Sequence, residues 1–139
     1  MFENKINPVI KNPNLKDYND TCSHFSWQEA DNYFSWRVSQ KINIAHEAID
    51  RHADDPKKAD LSCIIYSYGD KKVRISYRQM RCLSNQFANV LKKMGIKKGD
   101  RVCLFLPSIP ELYIAMAGCA KTGAIIVPLY SNYRQGAVK

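Results

Sequence analysis

The sequence predicts an α/β fold with a βαβ unit and a mostly parallel sheet, preceded by an irregular aromatic-rich arm. Residues 99–128 give a strand, a helix and a second strand, which is about the length of a βαβ unit. A long amphipathic helix pattern precedes them, and residues 1–41 show no sustained periodicity. We expect the βαβ unit to be right-handed with parallel strands.

The composition is that of one globular domain. The 139 residues are 45% hydrophobic and 24% charged, and no stretch approaches the roughly 18 apolar residues of a membrane span. The first twenty residues lack the apolar region of a signal peptide, and their acidic side chains argue against a transit peptide. These features predict a cytoplasmic protein with no membrane partner.

The cysteines and histidines give no metal-ligand spacing. Five cysteines lie 16 or more residues apart without a C-x-x-C pair, and four of them fall in apolar runs. We predict reduced, buried thiols at Cys22, Cys63, Cys82, Cys103 and Cys119. Surface or capping roles are expected for His24, His46 and His52.

The arm, residues 1–41, is rich in Asn, Pro and Asp, and its aromatic residues are scattered. Such a segment gains structure by laying its aromatic rings on another surface. From residue 42 a helix is predicted that ends near Ala53, with one face formed by Ile42, Ala45, Ala48, Ile49 and His52. Residues 61–76 then predict a β-hairpin around Gly69-Asp70.

A helix with sequence signals at both of its ends is predicted to begin after Ser76. Ser76 and Gln79 form an S-x-x-Q capping box, and Gly95 closes the helix. Its apolar stripe is predicted to be Met80, Leu83, Phe87, Leu91 and Met94. Continuous apolar runs at residues 102–106 and 124–127 predict strands covered on both faces, with a helix over residues 109–122 between them.

A turn between a strand and a helix is a common phosphate site, but residues 107–111 lack its features. The turn contains no glycine, and Pro110 removes a backbone donor. Ser108 and Glu111 form an S-x-x-E capping pattern that would satisfy the helix start internally. We therefore interpret the turn as scaffold, and we find no dinucleotide or P-loop glycine motif in the chain.

The net charge is +8, and the whole excess lies in residues 42–139, which carry sixteen basic and eight acidic residues. The densest cluster is Lys92, Lys93, Lys97, Lys98 and Arg101. A solvated face at a helix C-terminus is the favoured interpretation, and attraction of a polyanion such as a nucleotide or coenzyme A is the alternative. No nucleic-acid motif accompanies the cluster, so we expect no nucleic acid partner.

A set of residues spread in order over positions 30–139 resembles the N-terminal subdomain of the AMP-forming acyl-CoA synthetases, which belong to the adenylate-forming superfamily. Within that superfamily, the set is most similar to the acetyl-CoA synthetases. The segment at residues 32–53 resembles their aromatic lead-in and helix. The residues that carry the resemblance are Tyr77, Asn85, Ala88, Leu91, Gly95, Gly99-Asp100-Arg101-Val102, Pro107, Pro110-Glu111, Ala115, Ala120, Gly123-Ala124 and Pro128.

The resemblance implies that the complete enzyme converts a carboxylate, ATP and CoA to acyl-CoA, AMP and pyrophosphate, with Mg²⁺. The family's phosphate loop, adenine and ribose motifs and catalytic lysine match no position here, so we assign no catalytic, cofactor-binding or metal-binding residue to this chain. At most, residues 130–136 would contribute the edge of a CoA-facing surface. ATP, Mg²⁺ and CoA are therefore expected only for the complete enzyme.

Two functional hypotheses follow. In the first, residues 42–139 are a truncated N-terminal subdomain of an adenylating domain, inactive alone, whose uncovered sheet needs a downstream chain or a homo-oligomer to cover it. Gene decay, division of the enzyme into two chains or deliberate shortening would each give such a chain. In the second, the chain is a non-catalytic self-associating module that binds a polyanion through the cluster from Lys92 to Arg101.

Overall fold

The central feature of the fold is the expected βαβ unit. The structure is a computed structural model that describes residues 15–129 and 131–132. Strand β3 (Arg101–Phe105) and strand β4 (Ile125–Leu129) are parallel, with Arg101 opposite Ile125, and helix α6 (Pro110–Thr122) connects them. Gly123 ends α6 at a φ of 75°, a left-handed conformation that glycine adopts without strain. The predicted order of elements and the parallel pairing are confirmed, and the right-handed crossover stays a prediction.

Helix α5 (Tyr77–Lys93) begins as the sequence indicates. The Ser76 hydroxyl accepts a hydrogen bond from the Gln79 backbone, and the Gln79 side chain accepts one from the Ser76 backbone. Helices α5 and α6 approach each other closely at Gly118, because a Cβ atom built there would lie 3.0 Å from the Ser84 carbonyl oxygen. Side chains between them must therefore be small.

That close approach corrects the predicted stripe of α5. Met80 and Leu91 are buried as expected, but Leu83 is 36% exposed and Met94 is 71% exposed. The positions buried in their place are Ser84 and Ala88. The prediction weighted side-chain hydrophobicity, whereas the short distance between the helices selects side-chain size.

Two apolar clusters form the core of the described residues. The larger one joins α5, α6 and the parallel strands through Leu91, Leu104, Ala115, Cys119 and Ala124. The second lies against the hairpin, where strand β1 (Ser62–Tyr68) pairs antiparallel with strand β2 (Lys71–Ser76), and includes Ile49, Ile75, Met80 and Ala117. The hairpin is confirmed, and the two sheets contain two strands each.

The helix predicted from residue 42 contains a π-turn over His46–Asp50, which continues into helix α4 (Arg51–Asp54). Ala45 and Ile49 are buried as expected, whereas Ile42 is 76% exposed and Ala48 is also exposed. The prediction was wrong for Ile42 because it lies two residues before the first helical residue, Ile44. It was wrong for Ala48 because a π-turn accommodates one extra residue and changes which residues face the core. Glu47 occupies the buried position instead.

The described part of the arm, residues 15–41, is more regular than expected, since it contains three short helices: α1 (Tyr18–His24), α2 (Trp27–Tyr33) and α3 (Trp36–Ser39). Asp17 and Ser26 cap the first two. None of the three helices has a buried residue. The expected burial of aromatic rings is therefore limited to Phe34 and Trp36, which stack on each other with centroids 4.1 Å apart and are half-buried.

The cysteines are free thiols, but most are not buried. Cys119 lies in the core and Cys63 is half-buried, and burial raises the pKa of both thiols. Cys22, Cys82 and Cys103 are exposed, which corrects the prediction for these three. Cys82 lies on the outer side of α5, and Cys103 on the outer side of β3, although both stand in apolar stretches of sequence.

Candidate functional site

The turn before α6 differs from its predicted form. The helix starts at Pro110 with Ile109 as its N-cap, and no side chain caps it, so the expected capping box of Ser108 and Glu111 is wrong. Proline favours the first helical position, which moves the cap one residue past Ser108. Glu111 still places a negative charge in the first turn. The interpretation of this turn as scaffold stays a prediction.

The basic cluster is a solvated face. Lys92, Lys93, Lys97, Lys98 and Arg101 are all exposed, and none forms an ion pair with another described residue. One carboxylate lies within the cluster, because Asp100 Oδ2 accepts a hydrogen bond of 2.7 Å from the Lys97 backbone. The exposure is compatible with both interpretations, because it also leaves the cations accessible to an anionic partner, and the choice between them stays a prediction.

A buried lysine joins three elements of the fold. The Lys121 ammonium on α6 lies 2.6 Å from Asp50 Oδ1 on the π-turn and 2.6 Å from Asn85 Oδ1 on α5. Its side chain is 10% exposed. Sequence reasoning missed this network because its members lie 71 and 36 residues apart. The Lys121 ammonium thus donates to both neighbours, and the network links α6 to the π-turn and to α5.

A second network attaches the arm to the π-turn. Glu47 accepts hydrogen bonds from the Ser35 hydroxyl and backbone N–H, and it pairs with Arg51 at 2.7 Å. The guanidinium of Arg51 lies 4.3 Å from the centre of the Tyr33 ring. The hydrogen bond from Ser35, with the charge of Arg51, lowers the pKa of Glu47 below its ordinary value of 4.5. The arm is therefore attached by a carboxylate.

The parallel sheet has one bare face. The inner face contributes Val102, Leu104 and Ile126 to the core. The outer face carries Ile125, followed along the strands by two aligned pairs, Cys103 with Val127 and Phe105 with Leu129. Phe105 is 51% exposed and Ile125 is 49% exposed. Within residues 15–129 and 131–132, the expected cover on the second face of β3 is not found. We call this surface the outer sheet face.

A groove lies on another side of the molecule, between the hairpin, α5 and the start of α6. Its volume is about 640 Å³. The walls are apolar, and the polar side chains on its lining are Gln86 and Glu111. The walls are formed chiefly by Tyr66, Val73, Leu83, Phe87, Val90 and Ile114.

The part of the chain that the structure describes offers neither a metal site nor a membrane-spanning helix. There, no set of three His, Cys, Asp or Glu side chains is arranged to hold a metal ion. No helix among the same residues is both long enough and apolar enough to cross a membrane. The residues 130–136, named above for a CoA-facing edge, lie almost entirely outside the described residues.

Comparison with solved structures gives the class of protein. The crystal structure of a Brucella canis acyl-CoA synthetase superposes with a TM-score of 0.71 at 25% identity, covering 89% of this chain and 22% of that protein. A fatty acyl-adenylate ligase from Legionella pneumophila shares the fold at a TM-score of 0.58 and 24% identity, over 62% of this chain and 15% of the ligase. The fold is thus that of part of an acyl-CoA synthetase.

Sequence comparison gives the family. The family model described as "AMP-binding enzyme" matches residues 39–139, and the chain belongs to this family. The acetyl-coenzyme A synthetase of Bacillus subtilis strain 168 is 43% identical over 137 residues, covering 97% of this chain and 24% of the relative. That of Magnetococcus marinus is 34% identical, over 99% of this chain and 20% of the relative. The chain therefore spans about a quarter or less of the length of these relatives, as the N-terminal part of an acetyl-CoA synthetase-like enzyme.

Proposed function

We propose that this chain serves as the N-terminal part of an acid–CoA ligase that converts a carboxylate, ATP and CoA to acyl-CoA, AMP and pyrophosphate. The observation that carries the proposal is the 43% identity with an acetyl-coenzyme A synthetase along 97% of the chain. ATP, Mg²⁺ and CoA belong to the complete enzyme. The described residues do not offer a metal-ligand set or a glycine-lined phosphate turn, so we assign them no step of the chemistry.

We further propose that the chain is inactive alone and that a partner chain carrying the rest of the ligase covers the outer sheet face. Parallel strands in α/β proteins are covered on both faces, because each face is apolar. Here Phe105 and Ile125 present about half of their surfaces to solvent. A polypeptide that supplies the missing layer would bury them, and the same polypeptide would supply the phosphate loop and catalytic lysine expected from the family.

The test is carboxylate-dependent exchange of pyrophosphate into ATP. We expect no exchange from this chain alone, and exchange when it is mixed with the portion of the Bacillus subtilis relative that follows the matched segment. Ile125→Lys should abolish the restored activity, because it places a charge in the buried interface. Val38→Lys is the matched control, since Val38 is 92% exposed on the arm.

Two results would contradict the proposal. Exchange activity from the 139 residues alone would show that the chain needs no partner. Restored activity that is equal in wild type and Ile125→Lys would show that the outer sheet face is not the contact surface.

A second candidate, the polyanion-binding module, is favoured by the exposure of all five cations from Lys92 to Arg101. Titration of ATP and of CoA into the chain alone, followed by calorimetry at low and high salt, tests it. Binding that weakens with salt and is lost when Lys92 and Lys93 are changed to Glu supports this candidate. A chain that binds neither molecule excludes it.

A further inference from the structure

The acidic arm segment, which we define as residues 17–33, is exposed and negatively charged. It contains Asp17, Asp20, Glu29 and Asp31 and no lysine or arginine. Helices α1 and α2, which make up most of it, have no buried residue. Trp27 is 78% exposed, and its ring meets Phe25 edge to face at 5.1 Å between centroids. Large aromatic side chains in such a position are typical of residues that anchor protein interfaces.

The groove has the complementary character. Its walls are apolar, and its lining includes one carboxylate, Glu111, and no cation. A lysine lies beyond the groove on each of the two elements that form its long sides. Lys71 precedes Val73 by two residues on β2, and so lies on the same side of the strand. Lys93 follows Val90 by three residues on α5, and so lies one turn further along the same side of the helix. Both lysines are exposed.

We propose that the acidic arm segment of one copy of this chain docks in the groove of a second copy. Trp27 enters the apolar groove. Asp31 lies one helical turn after Trp27 on the same side of α2, which directs its carboxylate to the cationic rim at Lys71 and Lys93. The contact is reciprocal, because each copy carries one arm and one groove.

A second copy fits the groove better than the arm of the same chain does. Glu47 and Arg51 hold Ser35 and Tyr33 against the π-turn, which fixes the end of the arm segment there. All residues that line the groove belong to the hairpin, α5, α6 or the loop before α6, and none belongs to the arm. Within the described residues, therefore, the two complementary surfaces of one chain do not meet.

The inference goes beyond the proposed function and does not rest on it, because its test measures mass in solution and requires no activity. Light scattering after size-exclusion chromatography, over a range of concentrations, should show a monomer–dimer equilibrium that weakens with salt. Trp27→Ala and Val90→Lys should each raise the dimer dissociation constant by about tenfold or more, as loss of an interface anchor does. Both side chains are at least half exposed, and circular dichroism checks that the variants fold.

Two control variants separate this interface from others. Val38→Ala changes an arm residue outside the acidic arm segment and should leave the dimer intact. Ile125→Lys places a charge on the outer sheet face and should also leave the dimer intact. A mixture of Trp27→Ala with Val90→Lys should form a heterodimer more tightly than either variant dimerises alone, because the mixture restores one arm–groove contact.

Four outcomes would overturn the inference. These are a chain that is monomeric at every concentration, a dimer unaffected by Trp27→Ala and Val90→Lys, a dimer abolished by Ile125→Lys, and a mixture that gains no heterodimer. The last would show that the two variants act on separate contacts. None of these outcomes alters the exchange assay, so failure here and failure of the proposed ligase function are distinguishable.

Discussion

The arm and the βαβ region of this chain are organised by different forces. The region from α5 to β4 is held by apolar packing, with Leu91, Leu104 and Cys119 almost completely buried. In residues 15–41 no residue of the three arm helices is buried. The arm is held at the π-turn and the start of α4 by charge-assisted hydrogen bonds to Glu47 and by Arg51, which donates to the Tyr33 carbonyl. Apolar packing is cooperative, whereas a small polar attachment opens locally. The arm should therefore detach without unfolding the rest.

The largest effect is expected from removing apolar packing. Leu91→Ala should lower the free energy of unfolding by about 2–5 kcal/mol, because it leaves a cavity in the larger core cluster. Val90→Ala is the matched control on the preceding residue, which is 50% exposed, and it should have a much smaller effect. Urea unfolding followed by circular dichroism measures both. Equal losses in the two variants would show that α5 does not pack as described.

Crowding the same interface should have the next largest effect. Gly118→Ala places a Cβ 2.7 Å from Phe87 Cδ1 and 3.0 Å from the Ser84 carbonyl oxygen. We expect a loss of about 1–3 kcal/mol in the free energy of unfolding. The sign of the change in the free energy of unfolding is diagnostic, since the same substitution at an uncrowded helix position stabilises by about 1 kcal/mol. A gain in stability would mean that α5 and α6 are further apart.

Loss of the capping box should have a smaller effect on the same region. Ser76→Ala removes the acceptor for the Gln79 backbone N–H and should cost about 1 kcal/mol in chemical denaturation. Ser67→Ala, an exposed change on β1, should leave stability within about 0.5 kcal/mol of wild type. If the two variants were indistinguishable, the helix start would not depend on Ser76.

The smallest effect on global unfolding is expected at the attachment of the arm. Glu47→Gln should leave the urea transition of the βαβ region unchanged but increase proteolysis within residues 15–41 by roughly tenfold, because charge-assisted hydrogen bonds are lost. Glu29→Gln, an exposed change on α2, is the control. A shift of the global transition by Glu47→Gln would contradict the independence of the two regions.

The pH dependence of the attachment follows from the lowered pKa of Glu47. A carboxyl with a lower pKa in the folded state contributes its full stabilisation above its ordinary value of 4.5 and loses it as the pH falls through the folded-state pKa. The arm should therefore stay attached at pH 5 and above and detach in more acidic solution. Trp36 fluorescence, measured in a Trp27→Ala background, follows the transition, which Glu47→Gln should remove.

The sequence predicted those parts of the fold whose causes are local. The capping box of α5, the hairpin turn at Gly69-Asp70 and the order of strand, helix and strand each depend on residues close together in the chain. Burial of Ser84 and Ala88 was missed because it depends on the approach of α6, and the exposure of Cys103 depends on which face of the sheet is covered. The division of the chain at residues 41 and 42 stays a prediction.

The two candidate surfaces were predictable to different degrees. An uncovered sheet was expected from the sequence, and the outer sheet face at Phe105 and Ile125 is its location. The groove was not, because its walls come from the hairpin and from both long helices. Likewise, the networks at Glu47 and Lys121 join residues that are far apart in sequence and leave no local pattern.

The π-turn at His46–Asp50 has a consequence for insertions and deletions. Ala48 is exposed, so its removal would be judged harmless from exposure alone. An α-helix turns about 100° per residue, whereas a π-turn holds one extra residue in a single turn. Deleting one residue there would therefore convert the π-turn to an ordinary helical turn with little rotation of the segment before it. A deletion in helix α4 would instead rotate that segment by about 100° and turn Glu47 away from Ser35 or Ala45 out of the core. The π-turn is therefore the part of this segment that tolerates the loss of a residue.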